Sequence, residues 1–360
     1  MKRFATAGFF LALGSAVMAG QIDTSAGPRQ AVAVAEGLDT PWAFDFLPDG
    51  TVLITLRDGA LLAVRDGQRW QVDNAPKVVA DGQGGLLDIL VPSDFAETRQ
   101  VFFTYAKKQF LRGSGTAVYR ARLSDDGTSL EDGKTIFEIA RGSGGGFHFG
   151  SRLVEAQDGT LFVTIGDRGD GDQAQNLMMH NGSVLRIDRD GNAPADNPLV
   201  GQSDALPEIY SYGHRNPQGA ALDSAGQLWV AEHGAQGGDE VNRVTAGANF
   251  GWPVISYGVN YDGSKIGEGT AKDGMAQPEM YWDPSIAPSG MAFFTGGDWD
   301  GDAFVGSLKF DYIARLSGDP LREVEQISGP ETERVRDVAQ GPDGALWFLS
   351  VGNGALYRLE

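Results

Sequence analysis

Gln157-Asp158-Gly159-Thr160-Leu161-Phe162-Val163-Thr164-Ile165 is the stretch that decides the fold. The Asp-Gly pair supplies the positive-φ residue that a two-residue hairpin needs, and the strand after it is rich in β-branched and aromatic side chains. The cassette recurs. It reads Phe46-Leu47-Pro48-Asp49-Gly50-Thr51-Val52-Leu53-Ile54-Thr55 near the start, weakly as Ser224-Ala225-Gly226-Gln227-Leu228-Trp229-Val230, and last as Pro342-Asp343-Gly344-Ala345-Leu346-Trp347-Phe348-Leu349. Consecutive copies stand close to two, one and two units apart on a period slightly under about 60 residues. About six such units fill the chain from residue 20 onward, the signature of a radial repeat. The expected fold is all-β: a six-bladed β-propeller of four-stranded antiparallel blades, one domain over residues 20–360. A β-sandwich array is the structural alternative. Ala31-Val32-Ala33-Val34-Ala35 is expected to pair into the blade that holds Ala355-Leu356-Tyr357-Arg358-Leu359, closing the ring and removing its exposed edges. Helical signal is confined to a weakly periodic stretch around Ala174 to Met179.

The chain has 360 residues, no Cys and 4 His, with 29 Lys plus Arg against 48 Asp plus Glu and a formal net charge of −19. Without cysteine there is no disulfide framework, thiolate nucleophile, zinc-cysteine site or c-type haem attachment. The acidic balance repels phosphate backbones and makes nucleic acid an unfavourable partner. Lys2 and Arg3 precede an apolar run from Phe9 to Val17, followed by Ala19-Gly20. That pattern predicts a secretory signal peptide over residues 1–19 and a periplasmic or secreted mature protein. The run is short for a bilayer crossing, and no later stretch is apolar enough to make one.

All four histidines stand in glycine- and charge-rich turns: His148, His180, His214 and His233. A lone histidine in a turn is more often a structural hydrogen-bonding group than a catalyst. Four of four in polar turns, on a fold whose loops crowd a channel mouth, favours chemistry. No HExxH spacing is present, so a histidine-ligated zinc is not indicated. A second cluster is cationic: Arg215, Lys309, Arg334 and Arg336 lie in short loops of an acidic chain. Period-two alternation places Arg334 and Arg336 on one strand face, as a pair of surface ion pairs or as a clamp for a polyanionic small molecule. Gly142-Ser143-Gly144-Gly145-Gly146 is merely glycine-rich and matches neither a P-loop nor a Rossmann fingerprint. Glu232 to Asn242 combines carboxylates, carbonyls and glycines, a composition for a hard cation or for a solvated acidic turn.

Several motifs in order carry a resemblance: Gly82-Gln83-Gly84-Gly85-Leu86-Leu87-Asp88, His148-Phe149-Gly150-Ser151-Arg152-Leu153, Gly166-Asp167-Arg168-Gly169, Gly213-His214-Arg215-Asn216-Pro217, Gly237-Gly238-Asp239-Glu240, Asn249-Phe250-Gly251-Trp252-Pro253, Trp282-Asp283-Pro284 and Arg334-Val335-Arg336-Asp337-Val338. Together they resemble the soluble pyrroloquinoline quinone (PQQ)-dependent aldose sugar dehydrogenases, which include soluble glucose and sorbosone dehydrogenases. The match runs from about Gly37 to the C-terminus. It implies a six-bladed propeller with PQQ over the channel, in agreement with the repeat.

The resemblance implies roles residue by residue. His148 matches the general base and Asp167 the carboxylate that orients it. Gln83, Arg215, Asn216, Tyr261, Ser307, Leu308 and Lys309 match PQQ contacts, with Arg334 and Arg336 on the cofactor carboxylates. The carbonyls of Gly234 and Ala235 match the seat of the Ca²⁺ that also binds PQQ, while Glu240 and the carbonyl of Phe250 match a second, structural Ca²⁺ site. Two positions depart from the family: Ala235 stands where proline is usual, and Leu56 where glutamate is usual. The implied reaction oxidises the C1 hydroxyl of an aldose to a lactone by hydride transfer to PQQ, with reoxidation by an external electron acceptor such as a quinone, dye or cytochrome. A cofactor-free binding propeller and a Ca²⁺-dependent lactonase are the alternatives from other classes.

Overall fold

The computed structural model describes residues 20–360. The expected signal peptide, 1–19, lies outside the described residues. Six antiparallel sheets are arranged around a ring, five of four strands and one of five. Blades 1 to 5 take residues 41–72, 86–138, 153–212, 217–282 and 288–327 in chain order. Their innermost strands, Pro41–Phe46, Leu86–Leu90, Leu153–Glu155, Pro217–Leu222 and Pro288–Phe293, pack side by side, and Val335–Gln340 of blade 6 completes the circle against Pro41–Phe46.

Blade 6 is built from both ends of the chain. Gly27–Ala35 pairs antiparallel with Ala355–Leu359, Ala31 opposite Leu359, as the sequence predicted. One strand exceeds the expectation: Gly20–Thr24 folds back on Gly27–Ala35 and adds a fifth, outer strand. The weak helical stretch is also shifted, to a 3-10 turn over Gly171–Gln175.

The repeat is visible where the first strand of a blade turns into the second. Gly50, Gly159, Gly226 and Gly344 each donate at 2.9 Å to the carbonyl three residues back, with φ of 83°, 78°, 79° and 80°. The turn is therefore a type I turn closed by a left-handed glycine, one residue longer than the two-residue hairpin expected. The cassette skips blades 2 and 5 for a physical reason. Their equivalent connections carry the one-turn helix Phe95–Thr98 and the 3-10 turn Gly297–Trp299 instead.

Burial follows position within the blade. The second strands Val52–Leu56, Leu161–Ile165 and Ala303–Ser307 are buried at every residue, because neighbouring blades cover both faces. The outermost Arg322–Ile327 alternates instead. Each fully buried Leu or Ile in these strands stabilises the fold by about 1.5–3 kcal/mol. Polar groups stitch blades together across the channel wall. Hydroxyls of Thr55, Thr104 and Thr164 donate to the carbonyls of Leu87, Ser151 and Pro217 on the next blade, at 2.6, 2.6 and 2.8 Å. No helix among the described residues is long and apolar enough to cross a membrane.

Candidate functional site

In an antiparallel blade the start of the first strand and the end of the second lie at the same end. The site residues follow that rule. Gln83, His148, Arg215 and Asn216 precede first strands, Asp167 and Gly234 follow second strands, and Lys309 follows Ala303–Ser307. The Asp-Gly hairpins lie at the opposite end.

His148 occupies a left-handed backbone conformation, φ 54°. Its Nδ1 lies 2.7 Å from Oδ1 of buried Asp167, and its backbone N–H donates to Oε1 of Gln83 at 2.7 Å. Asp167 also accepts from the Gly169 N–H at 2.7 Å and, on Oδ2, from the Trp252 indole N–H at 2.8 Å. Burial alone would raise the Asp167 carboxyl. The His148 hydrogen bond and charge, the Gly169 N–H and the Arg215 charge outweigh it and hold the group below the usual carboxylate range. The glycine before it is required by space: a Cβ on Gly166 would lie 2.2 Å from the His148 carbonyl oxygen.

Arg215 is buried, stacked over the Trp252 ring at 5.3 Å, and donates to the carbonyls of His233 (3.3 Å) and Gly234. Its second terminal nitrogen is 3.5 Å from the hydroxyl of exposed Tyr261. Tyr261 and Trp252 both belong to the long 244–279 connection, which climbs back to the site. Asn216 is committed to structure through Oδ1, which accepts from Gly150 N–H at 3.1 Å. Ser307 and Leu308 are buried and hold the backbone: the Ser307 hydroxyl donates to Ile286 at 2.9 Å, and the Leu308 N–H to Ala287 at 3.1 Å. Lys309 is exposed, its ammonium 5.0 Å from the Phe310 ring centre.

Arg334 and Arg336 are neighbours for a different reason from strand alternation. Arg334 stands just before Val335–Gln340, in a left-handed conformation (φ 50°), and donates to the Leu308 carbonyl at 3.0 Å. Arg336 points inward to Gln218 Oε1 at 2.7 Å and lies over Trp42 at 5.7 Å. Burial, with the nearby charges of Arg152 and Arg334, pushes the Arg336 guanidinium down to about 9. No carboxylate pairs with Arg336 among the described residues.

Three groups of residues received no individual role from the sequence. Arg152 is buried under Arg336, bonded to Asp88 at 2.8 Å and Asp337 at 3.0 Å, with its guanidinium 4.8 Å from the Trp42 ring centre. Burial pushes Asp88 up to about 7 against the pull of Arg152, with Asp337 adding to the rise. His233 lies where the charges of Arg215, Arg336 and His148 all reach it. Burial, with the Arg215 and Arg336 guanidiniums adding to it, pushes it down to about 3, so it is neutral, and its Nε2 is enclosed without a hydrogen-bond partner. Glu232 is a hub, accepting from His214 Nδ1 and the Arg215 N–H at 2.7 Å each and from Asn242 at 2.8 Å. The signal for all of these was a charged side chain or histidine lying within or next to a quoted stretch.

The two expected metal seats differ. Glu240 is pushed up to about 8 by burial and by the Glu232 and Asp239 charges, eased only by Asn242 at 3.1 Å. With Glu232, Gly234 and Phe250 it lines a cavity of about 20 Å³, the size of one small occupant. Two carboxylates around such a space fit a Ca²⁺ ion. At the other seat Gly234 is held tightly, since a Cβ there would meet the Gly237 oxygen at 2.3 Å, and its carbonyl is engaged by Arg215. No group of three or more His or acidic side chains stands poised for a metal among the described residues, so carbonyls must complete either site.

A six-bladed ring is the fold that the motifs led one to expect, and comparison agrees. The family model for glucose/sorbosone dehydrogenases matches residues 38–358. The chain belongs to this family. It is 41% identical to the aldose sugar dehydrogenase YliI of Escherichia coli, over 87% of each chain. The solved structure of the soluble aldose sugar dehydrogenase of E. coli in its apo form superposes with a TM-score of 0.88 at 38% identity, covering 92% of this chain and 98% of that one. A PQQ-bound aldose sugar dehydrogenase from Streptomyces coelicolor gives a TM-score of 0.78 at 26% identity, covering 91% and 96%. Family membership supports a dehydrogenase with a sugar substrate.

Proposed function

We propose that this glucose/sorbosone dehydrogenase relative oxidises the C1 hydroxyl of an aldose to the lactone, with PQQ and Ca²⁺ as cofactors and an external electron acceptor. The observation that carries the reading is the 2.7 Å pairing of His148 with buried Asp167, together with a buried cation, Arg336, whose hydrogen-bond partner is neutral Gln218.

When bound, PQQ supplies the hydride acceptor and Ca²⁺ the Lewis acid beside it. Arg336 fits a cofactor carboxylate, because a cation surrounded by Arg152 and Arg334 gains from an anion. Arg334 and Lys309 extend the positive rim, and Gln83, Asn216, Tyr261, Ser307 and Leu308 complete the wall. Gly234 and Ala235 would offer carbonyls to the cofactor's Ca²⁺, and Glu240 with the Phe250 carbonyl would hold the structural ion.

His148 takes the C1 hydroxyl proton on Nε2, because Nδ1–H is committed to Asp167. Asp167 is ionised across the working range and stabilises the imidazolium that forms. Arg215 stands ready to stabilise developing negative charge, oriented by Trp252 and Glu232. Because the chain has no cysteine, it carries no c-type haem of its own, and the acceptor is a separate molecule.

Reconstitution with PQQ and Ca²⁺, followed by dye-linked assays over a panel of aldoses, tests this reading. Activity on a lactone without PQQ would replace it with the lactonase. Export is tested separately by sequencing the N-terminus of periplasmic material, expected near Gly20; an intact Met1 would refute removal of 1–19.

A further inference from the structure

Arg168 is one of the largest fully buried side chains, yet no carboxylate pairs with it among the described residues. A guanidinium taken out of water without a counter-ion is expensive, and blade packing alone gives no reason to keep one. Its partners are all backbone carbonyls. It donates to Phe147, to Gly145 at 2.9 Å and to Ser114 at 3.3 Å, and its guanidinium lies 3.4 Å from the centre of the Phe149 ring.

Phe147 and Phe149 are the two neighbours of His148. We propose that Arg168 is a positioning residue for His148, fixing the chain on both sides of it while the adjacent Asp167 fixes its ring. The inference rests on the reading of His148 as the base.

Two observations explain why such a clamp is needed. His148 and Arg168 both hold left-handed backbones, φ 54° and 60°, which persist only where surrounding contacts over-determine them. The segment leading into His148 is Gly142-Ser143-Gly144-Gly145-Gly146, which has little side-chain packing and much conformational freedom to lose. Ser143 anchors the start of the run, its backbone paired both ways with Ser114 at 3.0 Å and its hydroxyl 3.2 Å from the Arg168 carbonyl, which leaves Gly144 to Phe147 for Arg168 to hold. Arg168 ties this segment to Ser114 of blade 2, so the base is referenced to two blades at once. The glycine-rich run thus belongs to the site as the flexible arm that Arg168 immobilises. Gly169 is part of the same fit, because a Cβ there would sit 2.5 Å from the Phe147 ring.

The test compares Arg168→Met, which keeps an unbranched apolar stem and removes the guanidinium, with Arg168→Lys, which keeps the charge. In Arg168→Met, amide hydrogen exchange over residues 143–149 is expected to rise about tenfold or more, with the other blades still protected. PQQ affinity and the sugar KM should stay within about threefold, while kcat falls by about 10–100-fold and Lys restores part of it. The decisive variant is the double, Arg168→Met with His148→Gln. If Arg168 acts through His148, the double is no slower than His148→Gln alone. Losses that multiply, or an unchanged kcat in Arg168→Met, would overturn the assignment. If the parent protein neither binds PQQ nor oxidises any aldose, the functional reading fails. Exchange over 143–149 then judges the clamp alone, and no rise there refutes it.

Discussion

His148 and Trp252 occupy the two oxygens of one carboxylate, Asp167, at 2.7 and 2.8 Å. The indole comes from the 244–279 connection and the imidazole from the loop before blade 3, so Asp167 aligns two segments distant in sequence. Asp167→Asn should lower kcat by about 10²–10⁴ with PQQ binding retained, because the tautomer and charge that support the base are lost. Trp252→Phe keeps the ring beneath Arg215 and removes one hydrogen bond. A loss of about tenfold in kcat is expected there, read by steady-state assay at saturating PQQ.

His148 and Arg336 should separate chemistry from binding. His148→Gln is expected to reduce kcat by about 10²–10⁴ while PQQ still binds. Arg336→Ala should weaken PQQ binding, with much of the kcat recovered at saturating cofactor. Arg336→Lys keeps the charge and loses the fork, giving an intermediate defect. Titrating PQQ first and measuring turnover second distinguishes the two. Normal PQQ binding in Arg336→Ala, with loss of cofactor in His148→Gln, would reverse the assignment.

Removing Ca²⁺ should lower both activity and melting temperature, since a ligand bound only by the native state stabilises it. Glu240 and Glu232 line the same small cavity, so Glu240→Gln should weaken the stabilising ion and reduce the melting shift that Ca²⁺ produces. Calorimetric scans with and without chelator, with metal analysis of the sample, measure it. Unchanged melting after verified removal counts against the site.

The Arg152 triad predicts a pH slope. Asp88 is raised to about 7 in the folded state against about 4 when unfolded, chiefly by burial. Between those values the folded chain holds a proton that the unfolded chain has released, so stability falls as pH rises through the window and levels above it. The steepest fall is about 1.4 kcal/mol per pH unit. Asp88→Asn should flatten this slope, seen in urea unfolding at pH 5 and pH 8.

The sequence by itself determined the ring. Period, Asp-Gly turns and β-branched strands are local signals, and the left-handed glycines at Gly50, Gly159, Gly226 and Gly344 repeat because four of the six blades close the same tight hairpin. The pairing of Ala31–Ala35 with the C-terminal strand was also legible, since a ring must close. Ordered motifs identified the family and singled out His148, Asp167, Arg215 and Arg336 as candidates. Only the tertiary structure decided how they work together. The Asp-Gly turns lie at the end of the ring away from the site, while the site end is made of irregular loops without a period to read. That Asp167 meets Trp252 and that Arg336 stands over Trp42 beside the Arg152 triad are contacts across blades, and that Arg168 grips the neighbours of His148 is a contact between two loops distant in sequence. Strand alternation placed Arg334 on the face of Arg336, but its left-handed backbone puts it there from outside the strand. Local chemistry sets each turn; convergence on one channel mouth depends on the radial packing of six blades, which no single stretch of sequence contains.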